Sequence, residues 1–401
     1  MFILLLIIAI LNQVYGLSNP AKSVAIVTGA NGFVGRSVVY SLLRRHIQDA
    51  HPTEPATCII NLVRSNRVEF EQCYWNAHLQ DMHRDHIIKV MEYDMLDGGA
   101  SLSEAVQFAQ QLAPDRICLY HVASTFGPTA DPVQTAHDNV KSAVDAFQVL
   151  TRIQPNDKVA PKLRMVLTSS MAAVRATNQP PINGKYYTHK DWNTLSKLDE
   201  KNWGSCYQWS KMESERQVLE LAKDWKDGAI EFVALCPSFI FGPPPPYPSS
   251  LDRGSESRGS SSYSIELVKK WLSGESEVQS RLCIDVRDVA LAHVQAGTID
   301  MSQLATDSKN CNRYILSTEE RLSSEKVGDA LKNAIRKTRG SSQPFDVDDK
   351  IRCDTVFDGG AIKIGDKEVD ATNRLKDLGV VCRSVQETME DMATCLLDGA
   401  L

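Results

Sequence analysis

Short apolar runs alternate with longer amphipathic segments along most of the chain. The runs that predict strands span residues 23–28, 58–64, 87–93, 117–124, 163–168 and 230–236. The segments with a helical spacing of apolar residues span 34–45, 69–85, 101–112, 131–150 and 207–225. Strands that are apolar throughout are typical of a parallel sheet covered by helices on both faces. The pattern therefore predicts an α/β fold built on a Rossmann-type, doubly wound parallel sheet.

Three glycines follow the first strand at a spacing of three. Gly29, Gly32 and Gly35 lie between this strand and the first helix. We expect Gly29 and Gly32 to adopt backbone angles closed to other residues, and Gly35 to let the helix pack close to the strand. The helix N-terminus then offers N–H groups to a pyrophosphate. An ordinary glycine-rich turn is the alternative for such a motif taken alone.

The second strand ends in a basic rather than an acidic residue. Arg64 stands at its end, Arg67 follows three residues later, and Arg36 is close to the glycine turn. In dinucleotide-binding folds an acidic residue at this place binds the free 2′-hydroxyl of NAD, and a basic one neutralises the 2′-phosphate of NADP. The pattern therefore favours NADP, with an ordinary surface role for Arg64 as the alternative.

A candidate reaction site combines a strand end with a helix face. Ser170 follows the fifth strand, and Tyr207 and Lys211 are four residues apart, on one face of the next long helix. A tyrosine there can act as a general acid toward a carbonyl oxygen, and the nearby ammonium is expected to lower its pKa from about 10. Ser170 would bind the same oxygen as it gains negative charge. Lys211 could also hold the nicotinamide ribose.

The chain beyond the sixth strand predicts a second, smaller lobe. Helical patterns span 265–272, 289–296, 324–336 and 384–397, with a strand at 312–317. Residues 246–262 are too rich in Ser, Gly, Pro and Arg to build a core, so they predict a flexible loop, either a lid or a disordered segment. We assign 22–236 and 278–297 to the Rossmann domain, and 237–277 and 298–401 to a substrate-binding lobe.

Composition and charge limit the classes of partner that are expected. The formal net charge of −6 over 401 residues gives no basic footprint, so nucleic acid is not an expected partner. The ten cysteines show no CxxC or metal-type spacing, so no metal site is predicted. Cys58, Cys118 and Cys236 lie in apolar runs and are expected to be buried free thiols.

The first residues form a separate segment. Residues 1–11 are continuously apolar, and the small Gly16 suits cleavage, so 1–17 predicts a signal peptide or hydrophobic anchor. No basic residue precedes the run and the chain has no Asn-x-Ser/Thr sequon, which argues against this interpretation. Membrane contact is expected only through residues 1–16, and the compartment stays open between the secretory pathway or a membrane and the cytoplasm.

Several motifs occur together in one order: TGANGFVG at 28–35, HVAS at 121–124, TSSMAAV at 168–174, YQWSK at 207–211 and VRDVA at 286–290. In this combination the chain resembles an extended short-chain dehydrogenase/reductase of the NAD-dependent epimerase/dehydratase superfamily. Within it, the HVAS strand, Asp191-Trp192-Asn193 and the tail at 373–379 are similar to the branch of dihydroflavonol reductases, cinnamoyl-CoA reductases and aldehyde–ketone reductases.

The resemblance implies hydride transfer from NADPH to a ketone or aldehyde, with Ser170, Tyr207 and Lys211 as the catalytic triad. The implied cofactor contacts are Gly29, Asn31, Gly32, Phe33, Val34, Gly35, Arg36, Arg64, Asp94, Met95, Val122, Ala123, Ser124, Tyr207, Lys211, Pro237 and Ser238. Gln208 stands where cinnamoyl-CoA reductases have a cysteine, so a CoA thioester substrate is not supported. Asp288 is expected to be a helix cap or a turn residue rather than a catalytic acid.

Two other functions fit the same fold. An NAD-dependent epimerase/dehydratase or a 3β-hydroxysteroid dehydrogenase-like enzyme is one, although Arg64 argues against NAD. A non-catalytic dinucleotide-sensing protein is the other, although Tyr207 and Lys211 are both present. The small-molecule carbonyl substrate and the oligomeric state stay open.

Overall fold

A computed structural model describes residues 23–48, 58–82, 87–153, 161–225, 229–249, 251, 262–301, 304, 311–339, 351–354 and 364–398. The segment predicted as a signal peptide or anchor lies outside these ranges, as do residues 250 and 252–261 of the predicted flexible loop. Within these ranges, no helix is both long enough and apolar enough to cross a membrane.

The molecule is organised around a seven-stranded sheet in which every neighbouring pair is parallel. Its order is β3-β2-β1-β4-β5-β6-β9. The strands are β1 (Ser23–Thr28), β2 (Cys58–Val63), β3 (Ile87–Glu92), β4 (Arg116–His121), β5 (Lys162–Thr168), β6 (Ile230–Pro237) and β9 (Cys311–Leu316). The strand order reverses between β1 and β4, as in doubly wound nucleotide-binding folds. The predicted fold class is confirmed.

Helices cover both faces of this sheet. One face packs against α1 (Phe33–Gln48), α2 (Val68–Asp81) and α8 (Val286–Thr298). The other face packs against α3 (Ala100–Gln111), α4 (Pro132–Thr151) and α6 (Trp203–Asp224). The interior strands are apolar on both sides because each of these faces is buried; β2, for example, has all its residues buried.

A smaller core lies beyond the carboxyl ends of the strands. It packs α7 (Tyr263–Ser273), α9 (Ser324–Arg339) and α11 (Val385–Leu397) around a two-stranded sheet of β7 (Phe239–Phe241) and β8 (Cys283–Asp285). The short helices are α5 (Met171–Val174) and α10 (Thr372–Leu378). Three-residue strands such as β7 and β8 are too short to show a period in the sequence, which is why neither was predicted.

The strand expected within the smaller lobe belongs to the main sheet. β9 pairs in parallel with β6, and its Tyr314, Ile315 and Leu316 are buried. Helices α6 and α10 pack against this edge. The assignment of all of 298–401 to the substrate-binding lobe is therefore wrong for this strand.

Candidate active site

A cavity of about 1160 Å³ opens at the carboxyl ends of the strands, where the order reverses between β1 and β4. Ligand sites in open parallel sheets lie at this place. The cavity is larger than the roughly 300–1000 Å³ typical of one small-molecule site, so it has room for two ligands side by side. The predicted site residues that line it are Gly29, Asn31, Gly32, Phe33, Val34, Gly35, Arg64, Asp94, Met95, Val122, Ala123, Ser124, Ser170, Tyr207, Lys211, Pro237 and Ser238.

The glycine turn is shaped by close backbone contacts. Gly29 has a φ of +63°, and a Cβ added there would lie 3.1 Å from the Cα of Ala123 at the end of β4. A Cβ on Gly35 would overlap the carbonyl oxygen of Gly29, so only glycine lets α1 begin this close to β1. Gly32 does not have a positive φ, so the expectation that it needs a special backbone angle is wrong. A Cβ added at Gly32 would lie only 3.2 Å from the carbonyl oxygen of Gly29, so the missing side chain avoids a tight contact there.

The hydroxyl of Thr28 holds the two central strand ends together. It accepts hydrogen bonds from the backbone N–H groups of Val122, at 3.0 Å, and Ala123, at 3.1 Å. Both residues line the cavity opposite the glycine turn. The N-terminus of α1 and the end of β4 therefore lie next to each other at the cavity wall.

The arginines predicted at the adenosine end occupy different surroundings. Arg64 is exposed at the cavity wall, directly after β2. Arg36 does not line the cavity. Its guanidinium forms an ion pair with Glu71, which is fully buried, and lies over the Tyr74 ring at 4.5 Å from the centroid. Arg36 thus points toward α2 and away from the cavity wall, which does not support its prediction as a cofactor contact.

Ser170, Tyr207 and Lys211 come together at the end of β5. The Ser170 side chain caps α5 by accepting a hydrogen bond from the Ala172 N–H at 3.1 Å, and its hydroxyl lies near enough to the Tyr207 phenol to lower the pKa of that phenol. The Lys211 ammonium lies 5.8 Å from the centroid of the Tyr207 ring. Lys211 is positioned by a hydrogen bond that its Nζ donates to the backbone carbonyl of Thr168, 3.1 Å away.

Burial governs the proton affinities of this group. It raises the pKa of Tyr207 to about 12, and the hydrogen bond to Ser170 only partly opposes it. Burial also lowers the pKa of Lys211 to about 8, against the opposing charges of Cys236 and Glu215. The expectation of a lowered pKa for the tyrosine is wrong for this structure, because burial raises the pKa of the phenol. The phenol is protonated at neutral pH.

A buried ion pair lies close to Lys211. Glu215, one turn further along α6, pairs with Arg313 on β9 and accepts a hydrogen bond from Ser169. Arg313 also donates to the backbone carbonyl of His189 at 2.9 Å, and its guanidinium lies 4.0 Å from the Trp192 ring centroid. This pair was not predicted from the sequence, where a Glu four residues after Lys211 is its only local signal.

The structure also shows where the remaining predicted residues lie. Pro237 and Ser238 line the cavity at the end of β6, where the Ser238 N–H donates to Leu316 at 2.9 Å. The cap of α8 is Asp285, which accepts from the Arg287 N–H at 2.8 Å. Asp288 lies inside the first turn of the helix and pairs with Arg383, so its expected capping role is wrong. Cys58, Cys118 and Cys236 are buried free thiols, as predicted.

Residues 25–302 match the sequence profile of the NAD dependent epimerase/dehydratase family. An uncharacterized oxidoreductase of Schizosaccharomyces pombe is 28% identical over 279 residues, which is 68% of this chain and 72% of the relative. Cinnamoyl-CoA reductase 1 of Arabidopsis thaliana is 27% identical over 286 residues, 69% of this chain and 67% of its own. The structure of yeast methylglyoxal/isovaleraldehyde reductase Gre2 complexed with NADPH superposes with a TM-score of 0.67 at 22% identity, covering 94% of this chain and 100% of Gre2. The chain belongs to the NAD dependent epimerase/dehydratase family, as an extended short-chain dehydrogenase/reductase.

Proposed function

We propose that this member of the NAD dependent epimerase/dehydratase family is an NADPH-dependent carbonyl reductase acting on a ketone or an aldehyde. The observation that carries the proposal is that Ser170 and Tyr207 line the same cavity, close enough for the Ser170 hydroxyl to act on the Tyr207 phenol, with Lys211 one turn along the same helix. Gre2, which shares the fold, is an aldehyde reductase solved with NADPH.

The residues present fit a dinucleotide phosphate. The turn at Gly29 and Gly35 leaves no room for side chains, so the backbone N–H groups at the start of α1 are accessible to a pyrophosphate. Arg64 at the end of β2 would hold the 2′-phosphate, and Asp94 and Met95 after β3 would contact adenine. Pro237 and Ser238 would lie along the nicotinamide.

The chain's own residues supply the proton and the electrostatic stabilisation. NADPH, when bound, supplies the hydride. Tyr207, whose raised pKa keeps it protonated at neutral pH, donates its proton to the carbonyl oxygen of the substrate. The Ser170 hydroxyl donates a hydrogen bond to the same oxygen as negative charge develops on it. Lys211 stabilises the phenolate that forms, because its ammonium is charged below a pKa of about 8.

CoA thioesters are not part of this proposal, although one relative is a cinnamoyl-CoA reductase. The residue after the tyrosine, Gln208, is engaged by its neighbours: its side-chain oxygen accepts hydrogen bonds from the Thr177 N–H at 3.2 Å and the Ser196 hydroxyl at 2.9 Å. Gln208 thus fastens the loop before α6.

A screen of NADPH oxidation with aldehydes, diketones, flavanonols and steroids tests the reaction. Titration of cofactor fluorescence with NADPH and NADH tests the cofactor. We expect oxidation with at least one carbonyl class and tighter binding of NADPH. A tenfold preference for NADH, about 1.4 kcal/mol, would contradict the cofactor assignment and favour an epimerase/dehydratase or 3β-hydroxysteroid dehydrogenase-like enzyme. Binding of NADPH without turnover of any carbonyl would favour the non-catalytic sensor.

A further inference from the structure

The cavity has an aromatic wall beside the reactive tyrosine. The Phe126 ring lies edge-to-face with Tyr207, at 4.6 Å between centroids, and with Tyr263 at 5.2 Å. Trp203 completes the group at 5.6 Å from Phe126. Phe126 is 40% exposed and Tyr263 36% exposed, so both present apolar ring surface to the open cavity. This wall suits a flat apolar or aromatic part of a ligand.

Arg281, which precedes β8, lines the same part of the cavity. Its guanidinium lies over the Phe239 ring at 4.3 Å from the centroid, and one terminal nitrogen donates to the side-chain oxygen of Gln279. Its Nε is shielded from water and has no hydrogen-bond partner in the described part of the chain. Burial lowers the pKa of Arg281, the charge of Arg321 adds to this, and Tyr263 opposes it. A guanidinium nevertheless stays protonated in a protein, so Arg281 carries a half-buried positive charge.

The neighbouring arginines of the cavity wall differ from Arg281 in having a carboxylate partner. Arg321 donates to Glu368 at 2.7 Å, and Arg175 lies 3.6 Å from the same carboxylate. Among the described residues, Arg281 forms no ion pair with any carboxylate. The acidic residues of the cavity wall, Glu92 and Asp94, lie at or after the end of β3, at the opposite edge of the sheet. Among the residues that the structure describes, no carboxylate in this half of the cavity pairs with Arg281.

We propose that Arg281 binds a carboxylate of the substrate, so that the enzyme reduces a carbonyl compound carrying both an aromatic or flat apolar part and a carboxylate. This inference rests on the proposed function. A shielded N–H without a hydrogen-bond partner is costly, and the planar guanidinium donates two parallel hydrogen bonds to a carboxylate. The aromatic wall lies beside Tyr207, and Arg281 lines the same part of the cavity, so together they would select substrates that carry both groups.

The test compares acids with their methyl esters. Benzoylformate, benzoylpropionate and benzoylbutyrate place a phenyl ketone at increasing distance from a carboxylate, and each ester removes only the charge. We expect the KM of at least one acid to be about tenfold below that of its ester. Arg281→Met should raise the KM of this acid about 10- to 100-fold and leave the KM values of the ester and of NADPH within about twofold. Arg281→Lys should restore part of the difference.

A matched control removes an equal charge from the other end of the cavity. Arg64→Met should raise the KM of NADPH but leave the ratio of acid to ester unchanged. A parallel measurement with a phosphate ester of hydroxyacetophenone separates the two sources of an oxyanion. A larger loss with the phosphate than with any of the acids in Arg281→Met would overturn the choice of carboxylate.

The outcomes separate this inference from the proposed function. If no carbonyl compound oxidises NADPH, the proposed function fails. If ketones are reduced but acid and ester have equal KM values that Arg281→Met does not alter, the reductase stands and the carboxylate subsite is wrong. If Arg281→Met raises the KM values of NADPH, acid and ester together, Arg281 serves the dinucleotide and the inference is overturned.

Discussion

The Lys211 ammonium donates a hydrogen bond to the backbone carbonyl of Thr168, 3.1 Å away. This bond joins helix α6 to the end of β5, two residues before Ser170. It fixes the helix face that carries Tyr207 against the strand end that carries Ser170. The proposed acid and its hydrogen-bonding partner are therefore positioned by the fold before any ligand enters.

Replacing Tyr207 by Phe removes the proposed proton donor while keeping the ring that packs against Phe126. Loss of a general acid typically slows a reaction by about 100- to 10,000-fold. We expect a fall in kcat of this size, with the Kd of NADPH within about twofold. Steady-state kinetics and fluorescence titration measure the two quantities. Tyr186→Phe, outside the cavity wall, is the matched control; unchanged kcat in Tyr207→Phe would rule out the mechanism.

The reaction should lose rate in alkaline solution because of Lys211. Its pKa of about 8 means that the ammonium is lost as the pH rises through this value, while Tyr207 keeps its proton up to about 12. The kcat/KM for the carbonyl substrate should therefore fall about tenfold for each pH unit well above pH 8. Lys211→Arg stays charged throughout and should flatten this limb of the profile. A wild-type profile that stays level to about pH 10 would contradict the role of the ammonium.

The helices and strands could be predicted because their buried faces require a regular spacing of apolar residues in the sequence. The helix expected at 34–45 is Phe33–Gln48, and the strand expected at 163–168 is Lys162–Thr168. The reacting group could also be predicted, since Tyr207 and Lys211 share one helix face. The roles of Arg281 and Phe126 could not be predicted, because these residues lie on two loops that are distant in the chain and have no local sequence pattern, and only the fold brings them to one cavity. The direction of the Tyr207 pKa shift depends on burial, which the spacing of two residues does not show.

Arg64 should determine the choice between the two nicotinamide cofactors. Arg64→Leu removes a charge-assisted contact with the 2′-phosphate, which is worth about 1.5–3 kcal/mol. We expect the KM of NADPH to rise about 10- to 100-fold and that of NADH to change little. Arg67→Leu is the control: Arg67 is three residues away but lies over Phe70, at 4.6 Å from the ring centroid, outside the cavity wall. Equal changes for NADPH and NADH in Arg64→Leu would show that Arg64 does not bind the 2′-phosphate.

Arg36 should act on stability and not on the cofactor. Arg36→Met leaves the fully buried Glu71 with only Arg67, at 3.7 Å, so unfolding in urea should require about 2–3 kcal/mol less free energy. The double variant Arg36→Met/Glu71→Leu removes both charges and should recover most of this loss. The KM of NADPH should stay within about twofold in both variants. A rise in that KM in Arg36→Met alone would return Arg36 to the cofactor site.

His293 should make the fold sensitive to acid. The side chain is fully buried on α8, with Nδ1 bonded to the Val289 carbonyl at 2.8 Å and Nε2 to the Thr168 hydroxyl at 2.7 Å. Burial lowers its pKa to about 4, from 6.5 in the unfolded chain. As the pH falls below 6.5 the unfolded chain takes up the proton first, so stability is lost down to about pH 4. Between pH 7 and 5 this histidine should cost about 2 kcal/mol of unfolding free energy. His293→Gln keeps an acceptor for Thr168 but does not titrate. In urea unfolding at pH 7 and pH 5, this variant should therefore lose about 2 kcal/mol less unfolding free energy than the wild type between the two pH values. An equal loss in both proteins would contradict the role of His293.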